Sequence, residues 1–383
     1  MPGLGLIDPC PLWDDDGRAW LVFAWAKSRS GVNNRLSMVE ISPDARTVLG
    51  PPVTVIDGDA VPGYSILEGP KLYKRDGWYW IFAPAGGVAN GWQSAFRSRS
   101  VLGPYEGRIV LAQGDTLVNG PHQGAWVTSP EGEDWFLHFQ QRDPFGRVLH
   151  LQPLHWDDEG WPVIGDDGHP VLEYPAPARA RHSPPFCPAQ SDNFRATQPA
   201  PQWYWQANPG PDWLTLAGDG LARLRAVPND LGNLRTIPQI LGRQLHGAPS
   251  DQTTSLHLDA TAPGTRAGLV VLGEDYAYIG LIRDTDGIWV ESRTYTPGQG
   301  ETVRFRAQLP GPATPVQLRA SSTDEGLCTF RFRTTPDEKW TTALDSFQAL
   351  PALWTSAELG LFAAAPPGTP GTGQAFFGAV AAP

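Results

Sequence analysis

Cysteine is scarce in this 383-residue sequence: Cys10, Cys187 and Cys328 are odd in number and far apart. That pattern excludes a disulfide framework and a cysteine-based zinc cluster, and it suits a reducing compartment. Positive charge is also in short supply, with 29 Lys and Arg against 40 Asp and Glu, a formal net charge of −11. A phosphate-binding surface needs the opposite excess, so nucleic acid is not an expected partner. No apolar run approaches the roughly 18–20 residues of a membrane-spanning helix, so no membrane partner is expected either. The opening Met1-Pro2-Gly3-Leu4-Gly5-Leu6 has neither the basic nor the apolar region of a secretory signal. A cytoplasmic location is the corresponding expectation.

Glycine and proline, by contrast, are abundant at 42 and 39, and the aromatics include 16 Trp, 9 Tyr and 15 Phe. Long helices are disfavoured by such a composition, whereas short strands joined by tight turns are favoured. The chain is therefore expected to be all-β. A repeat supports this. Asp14-Asp15-Asp16-Gly17, Lys74-Arg75-Asp76-Gly77 and Pro130-Glu131-Gly132 each precede a strand rich in aromatic and β-branched residues. An acidic residue followed at once or shortly by glycine is hairpin chemistry. The glycines at 17, 77 and 132 lie 60 and 55 residues apart, a period suited to the blades of a β-propeller. Prolines 175, 177, 184, 185 and 188 mark a linker over 175–190. It separates a propeller-type domain, 1–174, from a second domain, 191–383. Alternating strands such as 267–272 and 276–281, with no helical pattern, predict a jelly-roll β-sandwich for the second.

Two carboxyls occupy matching positions. Asp8, in Ile7-Asp8-Pro9, and Glu68, in Glu68-Gly69-Pro70, stand the same distance ahead of Gly17 and Gly77. Equivalent positions in successive blades converge on the propeller axis. Two converging carboxyls suit glycoside hydrolysis, where one must stay protonated to assist the leaving oxygen. Spacing alone leaves open that both are plain turn residues. His122, ten residues before Gly132, is the third-blade candidate for the axis, able to hold a metal through water or to offset carboxylate charge. Arg147 is a planar donor suited to sugar hydroxyls, although by spacing it reads more readily as an exposed strand arginine. The stretch Ala85-Gly86-Gly87 lacks the lysine and strand–helix context of a phosphate loop. Trp92, just beyond it, could stack on a sugar face or simply pack in the core.

At these motifs the sequence resembles glycoside hydrolase family 43, which holds β-xylosidases and α-L-arabinofuranosidases. Ile7-Asp8-Pro9, Glu68-Gly69-Pro70-Lys71, Ala83-Pro84-Ala85, His122-Gln123-Gly124 and Phe145-Gly146-Arg147 carry the likeness. Residues 191–383 resemble the concanavalin-like sandwich of its β-xylosidases. The resemblance implies a five-bladed propeller and an inverting exo-glycosidase acting on xylosides or arabinofuranosides of plant-cell-wall oligosaccharides. It implies Glu68 as general acid, Asp8 as the carboxylate that tunes and orients it, Arg147 as a sugar contact, and a calcium or other ion near His122. No cofactor is required beyond that structural ion, and the partner is a small oligosaccharide.

One element of the family pattern is missing. The general-base aspartate belongs to a first blade, and five blades at this period need about 290 residues, whereas the linker here begins near 175. Only about three blades are expected in this chain, with about two N-terminal blades lacking through a late start codon or a fragmentary gene, and hydrolysis by it alone is expected to be impaired. The alternative is a non-catalytic carbohydrate-binding protein or a decayed enzyme. An open propeller exposes a strand edge, which makes a homo-oligomer a further expectation.

Overall fold

The computed structural model describes residues 4–180, 191–229, 232–309, 311, 315–369 and 373–382. Cys187 and positions 181–190 of the linker lie outside the described residues; Cys10 and Cys328 are free thiols. The chain divides into two units, Met1–Gln141 with Arg147–Pro184, and Arg142–Gly146 with Pro185–Pro383.

The first unit contains three four-stranded antiparallel sheets among the described residues. Leu6–Trp13 (β1), Ala19–Trp25 (β2), Arg35–Ile41 (β3) and Val53–Asp57 (β4) make the first blade. Lys71–Arg75 (β5), Trp78–Ala85 (β6), Trp92–Ser98 (β7) and Glu106–Ala112 (β8) make the second. His122–Thr128 (β9), Asp134–Gln141 (β10), Arg147–Trp156 (β11) and Pro162–Ile164 (β12) make the third. Each repeat motif closes the hairpin between the first two strands of its blade. In the second, Asp76 and Gly77 both take positive φ (51° and 71°), the two-residue turn whose twist matches the flanking strands.

The middle blade is buried on both faces, which explains why β6 reads as an apolar run and not as an alternation. Its Ile81, Ala83 and Ala85 pack with Val22, Ala24, Leu36 and Met38 of the first blade. Trp80 and Phe82, on the other face, pack with Phe136, Leu154, Trp161 and Ile164 of the third. The hairpin acids tie the blades together. Asp14 accepts hydrogen bonds from Lys74 and Tyr79 of the second blade. Asp134 accepts from the indoles of Trp126 and Trp156, both at 2.8 Å, from the Thr128 hydroxyl, and from Arg75 of the second blade at 3.0 Å.

The second unit is a β-sandwich. Among the described residues one sheet has eight strands: seven run along the path Tyr204–Trp205, Ile240–Gln244, Glu358–Ala365, Arg266–Leu272, Tyr276–Asp284, Gly287–Thr296 and Gly300–Gln308, and the eighth, Val227–Pro228, pairs parallel with Glu358–Ala365. The other has seven, centred on Gln374–Phe377, Ser250–Asp259 and Val316–Ser322. Arg142–Gly146, although it interrupts the third blade in sequence, belongs with this unit, and the Ala357 N–H donates to the Pro144 carbonyl at 2.8 Å. No helix among the described residues is long and apolar enough to cross a membrane.

Candidate active site

The first strands of the three blades deliver the site. In the first blade the pairing of β1 with β2 slips between Ile7 and Cys10, so Asp8 and Pro9 bulge out of the ladder. Asp8 takes φ 53°, a left-handed conformation that costs about 1–2 kcal/mol for a non-glycine residue. A similar slip in the third blade, between Leu137 and Phe139 on β10, puts Gln123 at φ 51°. In the second blade Glu68 is anchored by its own N–H, which donates to the Pro84 carbonyl at 3.2 Å.

Register shows which residues are equivalent. Ile7 pairs with Ala24, Glu68 donates to Pro84 and His122 pairs with Phe139, all partners standing equally far past the hairpin glycine, so His122 matches Glu68 and Ile7, while Gln123 matches Asp8 and Gly69. The third-blade counterpart of Asp8 is therefore Gln123, and that of Glu68 is His122, one residue earlier in the strand. The count back from Gly132 finds Gln123, which lies as far before that glycine as Asp8 lies before Gly17; the shorter turn of the second blade, between Arg75 and Trp78, moves Glu68 one place out of that count.

Asp8 Oδ2 accepts the Gly69 N–H at 2.9 Å and the Gln123 Nε2 amide at 3.3 Å. Glu68 Oε1 lies 3.6 Å from Nε2 of His122, whose side chain is buried. Lys71 Nζ donates to the carbonyls of Gly69 at 3.2 Å and Pro70 at 3.4 Å. Arg147, on the exposed edge of β11, stacks its guanidinium 4.6 Å from the centroid of Phe139, which is also the ring against which His122 packs at 5.5 Å. Phe139 thus touches both His122 and Arg147, a contact that nothing in its strand context signals.

Electrostatics separate the roles. Burial pushes the Glu68 carboxyl above its ordinary range, the charge of Asp8 pushes it further, and Arg147 opposes. Burial, followed by the charge of Arg147, pulls His122 down to about 4, so its imidazole is neutral at physiological pH. Lys71 is also lowered, chiefly by burial. The structure thus brings Asp8, Glu68, His122 and Arg147 into one set.

Trp92 is placed apart from these contacts. It pairs with Ala85, its ring packs so closely over Gly86 that a Cβ there would lie 2.7 Å from it, and Tyr64 meets it edge-on at 5.5 Å. Both nitrogens of His122 are buried without a hydrogen-bond partner. Among the described residues no three His, Cys, Asp or Glu side chains assemble as metal ligands, and the Arg147 and Lys71 charges act on His122 against that of Asp8. The side chains present therefore make no direct cation site.

A family model for glycosyl hydrolases family 43 matches residues 2–162, and one for a beta-xylosidase C-terminal concanavalin A-like domain matches 191–381. A putative beta-xylosidase of Xylanibacter ruminicola is 46% identical over 176 residues, covering 44% of this chain and 32% of that protein. Xylosidase/arabinosidase 43B of Humicola insolens is 30% identical over 189 residues, covering 45% of this chain and 34% of that protein. The matches thus span about a third of the length of these two curated relatives. The crystal structure of a xylan beta-1,4-xylosidase from Bacillus halodurans C-125 superposes with a TM-score of 0.86 at 24% identity, covering 99% of this chain and 76% of that one. That likeness is one of fold.

Proposed function

Because this chain belongs to glycosyl hydrolase family 43, we propose that its site serves an inverting exo-glycosidase acting on xylosides or arabinofuranosides of plant-cell-wall oligosaccharides. The observation that carries this reading is Glu68, a carboxyl whose pKa is raised by burial and by Asp8 at the meeting point of three blades. Such a group keeps its proton at pH values where an ordinary glutamate has lost it. The Glu68 proton passes to the glycosidic oxygen as the C–O bond to the anomeric carbon breaks, leaving Glu68 as the carboxylate. Asp8 sustains the proton on Glu68 before transfer. Arg147 offers its fork of donors to sugar hydroxyls, and Phe139 stiffens that arginine by stacking. Neutral His122 adds no charge that would draw the proton from Glu68 early.

Water attack on the opposite face needs a base. Among the described residues Asp8 is the carboxylate whose charge acts on Glu68, and two donors already engage it. This chain supplies the acid side of the reaction.

Xylobiose and arabinobiose are the test substrates, with azide added as a nucleophile that needs no base. The expected result is slow cleavage of one disaccharide, faster with azide and lost in Glu68→Gln. The loss is partly restored on a dinitrophenyl glycoside, whose leaving group needs no proton. Cleavage indifferent to Glu68→Gln overturns the assignment. Saturable sugar binding with no cleavage under any of these conditions shows a carbohydrate-binding protein instead.

A further inference from the structure

Three blades meet at a single oxygen atom. Asp8 Oδ2, from the first blade, accepts the Gly69 N–H, from the residue after Glu68 in the second, and the side-chain amide of Gln123, from the third. The amide of Gln123 also fills the space where a side chain on Gly69 would lie: a Cβ there would stand 2.5 Å from Oε1 and 2.7 Å from the amide carbon. Gly69 itself sits at φ 58°, and Asp8 and Gln123 hold left-handed backbones at matching bulges. Lys71 Nζ grips the carbonyls of Gly69 and Pro70 from the other side.

We propose that Gln123 is a positioning residue that braces Asp8 against the Glu68-Gly69 backbone and so sets where the Asp8 charge stands relative to the Glu68 carboxyl. Asp8 cannot hold that place by rotamer alone, since its neighbours in β1 leave the ladder at the bulge. The Gly69 N–H defines one direction of approach, and the Gln123 amide defines a second. Two donors from different blades leave the carboxylate a single orientation, in which its charge bears on Glu68. A third-blade residue that touches no reacting atom thereby governs the acid in the second. This role rests on the reading of Glu68 as the general acid.

The test replaces Gln123 with methionine, which keeps the length and removes the donor. Carboxyl-13C labelling of Asp and Glu in the full chain reads Asp8 and Glu68 at one fixed pH near 7. The expected result is that both resonances move in folded Q123M, and that cleavage of xylobiose falls roughly ten- to hundredfold in kcat with little change in KM. In a Glu68→Gln background, assayed on the dinitrophenyl glycoside, the same change has no further effect on either constant. Unmoved Asp8 and Glu68 resonances in a folded Q123M protein, with melting temperature alone altered, overturn the proposal. Should the parent chain cleave no disaccharide, the acid assignment fails on that ground, while the carboxyl resonances still decide the brace. Should Q123M not fold, Asp8→Asn serves: the Gly69 N–H and Gln123 side-chain amide resonances must both shift, and their staying put overturns the proposal.

Discussion

His122 Nε2 stands 3.6 Å from Glu68 Oε1, yet the two are not an ion pair, because burial holds the imidazole at about 4. A second histidine of the third blade, His138, stands one residue before the Phe139 that pairs with His122, is buried, and is likewise lowered by burial to about 4. Both values lie below the 6.5 of a free histidine, so the unfolded chain binds more protons across that interval. Their contribution to stability is complete above pH 6.5 and drains away as pH falls toward 4. Amide hydrogen exchange at pH 7 and pH 5 should show protection in β9 and β10 falling at the lower value, after correction for intrinsic rates. Protection that rises on acidification would contradict the neutral, buried state of both rings.

The sandwich should respond with the opposite sign. Burial raises Glu358 to about 7, against hydrogen bonds from Tyr204 and Gln206 that lower it. The folded unit then holds a proton that the unfolded chain has released above 4.5. Stability from this group is full below pH 4.5 and is lost as pH rises through 7, by at most roughly 3 kcal/mol. Glu358→Gln should flatten that dependence, measured as urea midpoints of the second unit between pH 4.5 and 8. An unchanged slope would exclude Glu358 as its source.

Gly69→Ala is expected to cost about 2 kcal/mol or more, from two causes that act together. Its φ of 58° strains any side chain, and the new Cβ would stand 2.5 Å from the Gln123 amide oxygen. Thermal unfolding should show a drop of several degrees. Gly17→Ala provides the contrast, because φ is 83° there but nothing lies within 4 Å of the added carbon. Equal losses at the two positions would mean that packing against Gln123 contributes nothing.

Asp134→Ala should destabilise the first unit by roughly 2–4 kcal/mol. Removing this carboxylate strands the indole N–H groups of Trp126 and Trp156 and the Arg75 guanidinium. Arg75 stacks 4.1 Å over Trp156, so the change also loosens a cation–π contact between blades. Denaturant unfolding followed by tryptophan fluorescence measures the loss; a change within 0.5 kcal/mol, the ordinary range for surface substitutions, would show that Asp134 does not brace the blades.

Much of the architecture was legible because it is local. An acidic residue and a glycine at a hairpin, repeated at 17, 77 and 132, needs only turn chemistry to be recognised, and it correctly framed three four-stranded blades. Aromatic and β-branched strands after each turn marked the cores. Asp8, Glu68 and His122 were reachable by counting from those glycines, since equivalent positions in a repeat point the same way.

What counting could not resolve was a one-residue distinction. Bulges at Asp8 and Gln123 displace side chains from simple alternation, so Gln123 stands level with Asp8 while His122 stands level with Glu68. Phe139 and Lys71 were also unmarked, because a phenylalanine or lysine in a strand has no feature that separates site from scaffold. Trp92, adjacent to glycines, reads either as a sugar platform or as a core residue, and only the structure shows its ring packing against Gly86 and Tyr64.

The sequence by itself therefore determined the strand content, the blade period and the two carboxyls, all set by short-range turn geometry and residue type. The tertiary structure alone decided which donors from different blades share one acceptor, which imidazole loses its charge, and which carboxyl keeps its proton. Those outcomes depend on distances between residues far apart in the chain, and on the water excluded around them; neither quantity is written in local sequence.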